Sequence, residues 1–551
     1  MAKIHSAASP LDAPTDREQV LLDPASLAPE AAKAPSNAKE ESRTRGFWSL
    51  RSVRMYLAFL LCYGNFSQSL QRANMGVGVI CMVNRTSAID DQWYNNHSSV
   101  TNGQGCTLDE SRIQDDYGGT LRWDSVEQSW LFSGLGWGAL VSLFPAGWLA
   151  DRYGAKRLWL ICTVLHLVGT VLTPVASSYG VATTVLARFI VGLGAGMQLP
   201  VAMSWLTRWY PPYETASVIA IFTVGNQLAS MVGNPLSAFL CTTTLFGGWP
   251  AVFYVAALFL VPLLVLWSIF ASDVPEENRF LSRDEKLFLF REVGMGSDQG
   301  DRKASAGNAP WRKICTSWAV LAIYANQLSS ISTLVMAQSY MPTYFKEALL
   351  LDLQKNGLLS ALPFVAQIAT KMVAAPIVDR LNRGRKNSRR GTIICKVMNS
   401  AADFPAGIAL ILLVFVDCTN PALAIVLVTV AIGAVGLWVP GFFASAVLVA
   451  PAYSGIIASM SMLFGQSAAA LFPYVVGALT PNGTVEEWRW AWVIVGAMLI
   501  LAGALFLVCG SAEEQAWART QRPEMTLMGT KSSTAAFHQP SKKADDNDTR
   551  T

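Results

Sequence analysis

Residues Gly147-Trp148-Leu149-Ala150-Asp151-Arg152-Tyr153-Gly154-Ala155-Lys156-Arg157 close one long apolar run and open another. The flanking runs, 125–150 and 157–178, each exceed the roughly 20 residues a helix needs to cross a hydrocarbon core of about 30 Å. Between them an acidic-basic step, a glycine and two more cations turn the chain at a membrane surface. A related step, Pro376-Ile377-Val378-Asp379-Arg380, ends a later run and is again followed by basic residues. The same device at corresponding places in two halves points to an internal repeat.

Outside these turns the apolar runs continue. They cover 55–83, 181–207, 215–241, 249–271, 316–344, 356–378, 391–416, 421–447, 452–480 and 488–509. The 551 residues are 52% hydrophobic and only 15% charged, against about 25% charged in an ordinary soluble domain. Such a chain needs lipid around it. The composition excludes a soluble enzyme and a nucleic-acid binder, since a net charge of +4 gives no polyanion-binding surface. The sequence predicts an all-α multi-pass membrane protein, with twelve transmembrane helices in two six-helix bundles. The bundles are 55–271 and 316–509, joined by a polar linker, 272–315. Tails at 1–54 and 510–551 are Ala-, Pro- and charge-rich and read as disordered. The first tail lacks the apolar core of a signal peptide. Its Leu21-Leu22 pair follows acidic residues but misses the spacing of a dileucine sorting signal.

Cationic residues orient the bundles. Arg51 and Arg54, then Arg152, Lys156 and Arg157, then the linker, then Arg380 to Arg390 alternate on one side, which the positive-inside rule makes cytosolic. Both termini fall on that side. The opposite loop 84–123 carries two glycosylation patterns, at Asn84 and Asn96. Nine cysteines show no metal-type spacing. Most, including Cys62, Cys162 and Cys395, lie in apolar runs and read as small hydrophobes. Cys106 alone lies in a long polar loop, with no evident partner.

The segment Gly147 to Arg157 resembles the G-x-x-x-D-R-x-G-x-[KR]-[KR] signature of the major facilitator superfamily. That resemblance implies a cytosolic gate at Asp151, Arg152 and Arg157, with Asp379 and Arg380 as counterparts. Arg72-Ala73-Asn74-Met75-Gly76-Val77 resembles helix one of the anion:cation symporter family, which includes sialin, the vesicular glutamate and nucleotide transporters and the type I sodium–phosphate cotransporters. Similar stretches run in family order from Trp123-Asp124 to Glu486-Glu487-Trp488. The sequence departs from the family at Ala195, where a helix-four Glu is linked to proton coupling. Phe132 and Ser330 replace a His and an Arg of the glutamate transporters, and Ser445 to Leu448 replaces an N-H-L-D stretch.

Ionisable residues inside spans are costly and mark function by default. Arg72 and Arg188 fall at similar depth in the first bundle. If both face a cavity they form a site for a carboxylate or phosphate, which a guanidinium fork binds with two hydrogen bonds. Each could instead bond helix carbonyls or snorkel. Asn226 and Gln227 would line the same cavity. Lys371 and Asp403 in the second bundle are either a structural ion pair or a coupling site. Glu127 is either a proton acceptor or a helix-end charge. No cofactor or metal is implied. The partners are a small anion, the bilayer, and H+ or Na+ by family inference. The sequence reads as a secondary active anion transporter of a lysosomal, vesicular or plasma membrane. A transport-deficient sensor on the same fold is the alternative.

Overall fold

The computed structural model describes residues 52–84, 119–293, 310–382 and 388–519. Among them are twelve helices of membrane-spanning length. These are α1 (Val53–Met82), α2 (Ser125–Tyr153), α3 (Ala155–Ser177), α4 (Val181–Trp209), α5 (Pro212–Cys241) and α6 (Pro250–Phe270). Then follow α7 (Trp318–Glu347), α8 (Leu353–Leu359 with Leu362–Asn382), α9 (Ser388–Leu412), α10 (Pro421–Leu448), α11 (Ser454–Leu479) and α12 (Val485–Cys509).

Ten stretches of the described residues are long and apolar enough to cross a membrane by composition. α1 is not among them, because it carries Asn65, Gln68, Gln71, Arg72 and Asn74; its neighbour α5 carries Asn226, Gln227 and Asn234. A polar helix is stable in a bundle only where neighbours satisfy it. The two lie side by side: a Cβ on Gly225 of α5 would sit 2.5 Å from the Cys62 carbonyl of α1. Asn65 donates across to the Phe222 carbonyl.

The end of the molecule carrying Asn84 and the α2 N-terminus is here the loop end; that carrying Val53 and Cys509 is the tail end. The two bundles meet toward the loop end. Gly76 of α1 lies against the backbone of Gln338 and Ser339 in α7, and Gly136 of α2 against Ala469 and Ala470 in α11. Gly357 of α8 fits under Ala238 and Asn234 of α5. Small residues let these backbones approach. Hydrogen bonds follow the same seam: Lys346 to the Ile80 carbonyl, Asn234 to the Ser360 carbonyl, and the Ser125–Thr480 hydroxyl pair. Among the described residues, no hydrogen bond joins the bundles in the tail half. The tail half of the first bundle packs on itself through buried Trp159, Trp205, Trp209 and Trp267.

Several boundaries and roles differ from the sequence reading. Cys81 and Cys241 are disulfide-bonded and tie the loop ends of α1 and α5; they are not small hydrophobes. Cys106 lies outside the described residues. Trp123 and Trp488 are 5% and 1% exposed and are packed inside the protein. Trp488 donates to Glu347. The linker contains a helix, Arg283–Val293, that packs on the first bundle. Buried Arg54 pairs with Glu214 at the start of α5 and with Glu285 of that helix, over the Phe288 ring. Beside it Lys286 donates to the Glu276 carbonyl, and burial holds its ammonium below the usual lysine range. Residues 511–519, expected to be tail, pack on the second bundle through Ser445, Val449 and Thr392.

Candidate functional site

Arg72 projects from α1 and Arg188 from α4. Arg188 is 1% exposed and Arg72 is partly exposed. The two guanidinium groups lie within electrostatic reach of each other. Arg188 Nη2 donates to the Gln71 carbonyl at 2.7 Å, so one donor takes the helix-carbonyl role that sequence left open. Its Nε and Nη1, with Arg72 Nε and both amide atoms of Asn74, have no hydrogen-bond partner among the described residues. Buried donors left unmade cost about 1–3 kcal/mol each, more when charged. The convergence of two like charges with spare donors is the electrostatic signature of an anion site.

His166 belongs to this cluster, and sequence reasoning passed over it. It is buried on α3, against Gly194 of α4, and within electrostatic reach of both arginines. Its Nδ1 meets the Cys162 carbonyl at 2.8 Å, which assigns the proton to Nδ1. The available signal was its being the one histidine inside a predicted span. Toward the tail end a polar layer supports the cluster: Gln68 donates to Thr163, and Gln198 to Asn65. Gln227 is buried with Oε1 unpartnered, whereas Asn226 accepts from Gln338 of the opposite bundle at 3.2 Å. Asn226 therefore sits on the seam.

The second bundle does not hold the ion pair weighed from sequence. Asp403, 1% exposed, accepts from Asn399 and from the Trp438 indole, each at 2.7 Å. Lys371 packs beside Gly436 of α10 and has no salt bridge among the described residues. Glu127 closes a capping box with Asp124 at the α2 N-terminus, the helix-end role of a first-turn carboxylate.

At the tail end Arg152 lies over the rings of Trp148 and Tyr153 on its own helix. Arg152, Arg157 and Arg380 are exposed and none bonds the opposite bundle among the described residues. The side chains of Asp151 and Asp379 lie outside the described residues. Gly154 has φ +88, and a Cβ there would meet the Asp273 carboxylate at 2.6 Å. That carboxylate accepts from the Lys156 backbone N–H at the start of α3. Asn84 pairs its backbone with Leu121, and Asn96 lies outside the described residues. Where the glutamate transporters carry a His, Phe132 packs on Tyr340 of the opposite bundle with ring centroids 4.9 Å apart. Ser330 donates to its own helix, to the Gln327 carbonyl.

Residues 107–473 match the model of the Major Facilitator Superfamily. A Caenorhabditis elegans protein, "Uncharacterized transporter slc-17.3", is 31% identical over 489 residues, covering 85% of this chain and 90% of its own. The chain belongs to the major facilitator superfamily, within its anion:cation symporter family. Human sialin is 26% identical over 85% of this chain and 91% of its own. Vesicular glutamate transporter 1 of Xenopus tropicalis is 26% identical over 82% and 73%. A crystal structure of a D-xylose–proton symporter superposes with a TM-score of 0.61 at 12% identity, over 84% of this chain and all of that one; at that identity it shows the shared fold. This facilitator is accordingly a membrane transporter and not an enzyme.

Proposed function

We propose that this facilitator carries a small carboxylate or phosphate by alternating access, with Arg72 and Arg188 holding the anion. The observation that carries the reading is the meeting of two guanidinium groups with buried donors, Arg72 Nε and Arg188 Nε and Nη1, that have no partner among the described residues. Alternating access is supported by the loop-end contacts between the bundles, while at the tail end exposed Arg152, Arg157 and Arg380 bond nothing in the opposite bundle among the described residues. Rocking the bundles would open the glycine-lined seam and bring those cations, with Asp151 and Asp379, into a tail-end latch. Gln227 lines the path, and Asn226 reports which face is shut. Both termini and the cationic loops lie in the cytosol, with Asn84 and Asn96 available for glycosylation opposite. The membrane is lysosomal, vesicular or plasma, and the driving force H+, Na+ or voltage.

The test is uptake of a panel of labelled anions, including glutamate and inorganic phosphate, into proteoliposomes with imposed pH, Na+ and voltage gradients. At least one anion should accumulate, and Arg188→Ala should abolish that uptake while the protein stays folded. Wild-type uptake by Arg188→Ala would remove the site. Binding of an anion without flux would favour the sensor.

A further inference from the structure

A carboxylate buried in a membrane bundle without a counter-ion is expensive. Asp403 is such a group. The helices packed on it bring only neutral groups. Asn326 of α7 and Trp438 and Gly441 of α10 face it or its partner Asn399, and Gly503 of α12 lies directly against it. Among the described residues no charged group comes within electrostatic reach, and Lys371 is not its partner. Asn399 donates to both Asp403 and Asn326, while its own Oδ1 is buried without a partner.

This network sits on a broken helix. α10 leaves α-helical geometry at Val435–Trp438 and again at Val439–Phe443. Gly441 has φ −84 and ψ −116, and a Cβ there would be 3.1 Å from Asn399. Wide turns of this kind inside helices gather at functional sites. The Trp438–Asp403 bond therefore ties the break in α10 to α9.

We propose that Asp403 takes up and releases a proton, and that its charge state sets how firmly the α10 break is held to α9. On uptake, a proton from water forms an O–H bond on a carboxylate oxygen, and no electrons move. The acceptor offered to Trp438 or Asn399 weakens, since hydrogen bonds to an ionised group are roughly twice as strong as neutral ones. A flip of the Asn399 amide would present its free Oδ1 to the new O–H donor and give up the bond to Asn326. α10 is thereby loosened from α9, and α9 from α7. On release the knot reforms. Coupling of this proton to anion movement rests on the transport reading above; the proton site itself does not.

Infrared difference spectra of the purified protein between acid and alkaline buffer test the site without any substrate. A protonated-carboxyl band should appear on acidification and be missing from Asp403→Asn. Trp438→Phe, which keeps the acid and removes one donor, should retain that band at a shifted frequency. Hydrogen exchange of the peptide spanning Val435–Phe443, corrected for the chemical rate, should quicken on acidification in the native protein. In Asp403→Asn it should be fast at every pH. An identical difference spectrum in native protein and Asp403→Asn, or an unshifted band in Trp438→Phe, would overturn the proposal. So would pH-independent exchange in the native protein. Loss of anion uptake in Arg188→Ala with these signals intact would separate the two sites.

Discussion

The Arg188 guanidinium is fastened to the backbone carbonyl of Gln71, the residue immediately before Arg72. One bond between α4 and α1 therefore fixes the spacing of both charges. A guanidinium carries five donors in a planar fork, so this tether leaves others for a ligand. Hydrogen bonds to charged groups contribute about 1.5–3 kcal/mol, and each 1.4 kcal/mol is about tenfold in affinity. Arg188→Lys should keep the fold and weaken anion binding by roughly 10- to 100-fold, because an ammonium offers no fork. Titration of the purified variant with the transported anion checks this; unchanged affinity would mean the fork is unused.

The glycine seam makes a conformational prediction. A Cβ at Gly76 would lie 2.5 Å from the Gln338 carbonyl, and one at Gly136 would lie 2.6 Å from Ala469 backbone. Rigid backbone leaves no room at those distances. Gly136→Val should disfavour the loop-end-closed state and raise the labelling rate of a cysteine placed on the seam, for example at Phe132. The native background should react slowly at the same site.

Arg54 pairs with both Glu214 and Glu285 in a buried cluster, at 3%, 10% and 11% side-chain exposure. Removing one partner of a buried pair costs about 3–5 kcal/mol, because the other charge is left uncompensated. Arg54→Ala should lower the thermal midpoint in detergent. Adding Glu285→Gln should recover part of the loss. A double variant no more stable than the single one would contradict the cluster's role.

Cys81 and Cys241 close a loop of 160 residues. The chain-entropy account gives about 5 kcal/mol for such a length as an upper figure; membrane-inserted helices are already restrained, so the effect should be smaller. Cys81→Ser should lower the melting temperature under oxidising conditions. It should also make that temperature less sensitive to reductant than that of the native protein, in which Cys418 is disulfide-bonded as well.

Sequence exposed the helices because bilayer thickness demands long apolar runs, and it exposed Arg72 and Arg188 because charge inside such runs is rare. It left hidden whatever depends on helices meeting. Cys81 and Cys241 lie far apart in the chain, and only the packing of α1 on α5 joins them. His166 looked isolated until α3 placed it beside two arginines. Trp438 reads as one more apolar residue, yet its indole N–H is what Asp403 accepts. Opposite charge alone leaves open whether Lys371 and Asp403 pair, and the structure places Lys371 beside Gly436 and Asp403 against Asn399 and Trp438 instead. Residues 283–293 and 511–519 are polar enough to read as linker and tail, but a few hydrogen bonds hold them to the bundles.

The polarity of α1 has a consequence for how the molecule is made. A newly synthesised chain would present its first span to the insertion machinery as a segment that hydrocarbon alone accepts poorly. It should not partition stably into lipid when expressed by itself. It must wait for, or be sheltered by, later neighbours, so biogenesis of this bundle should be cooperative rather than helix by helix.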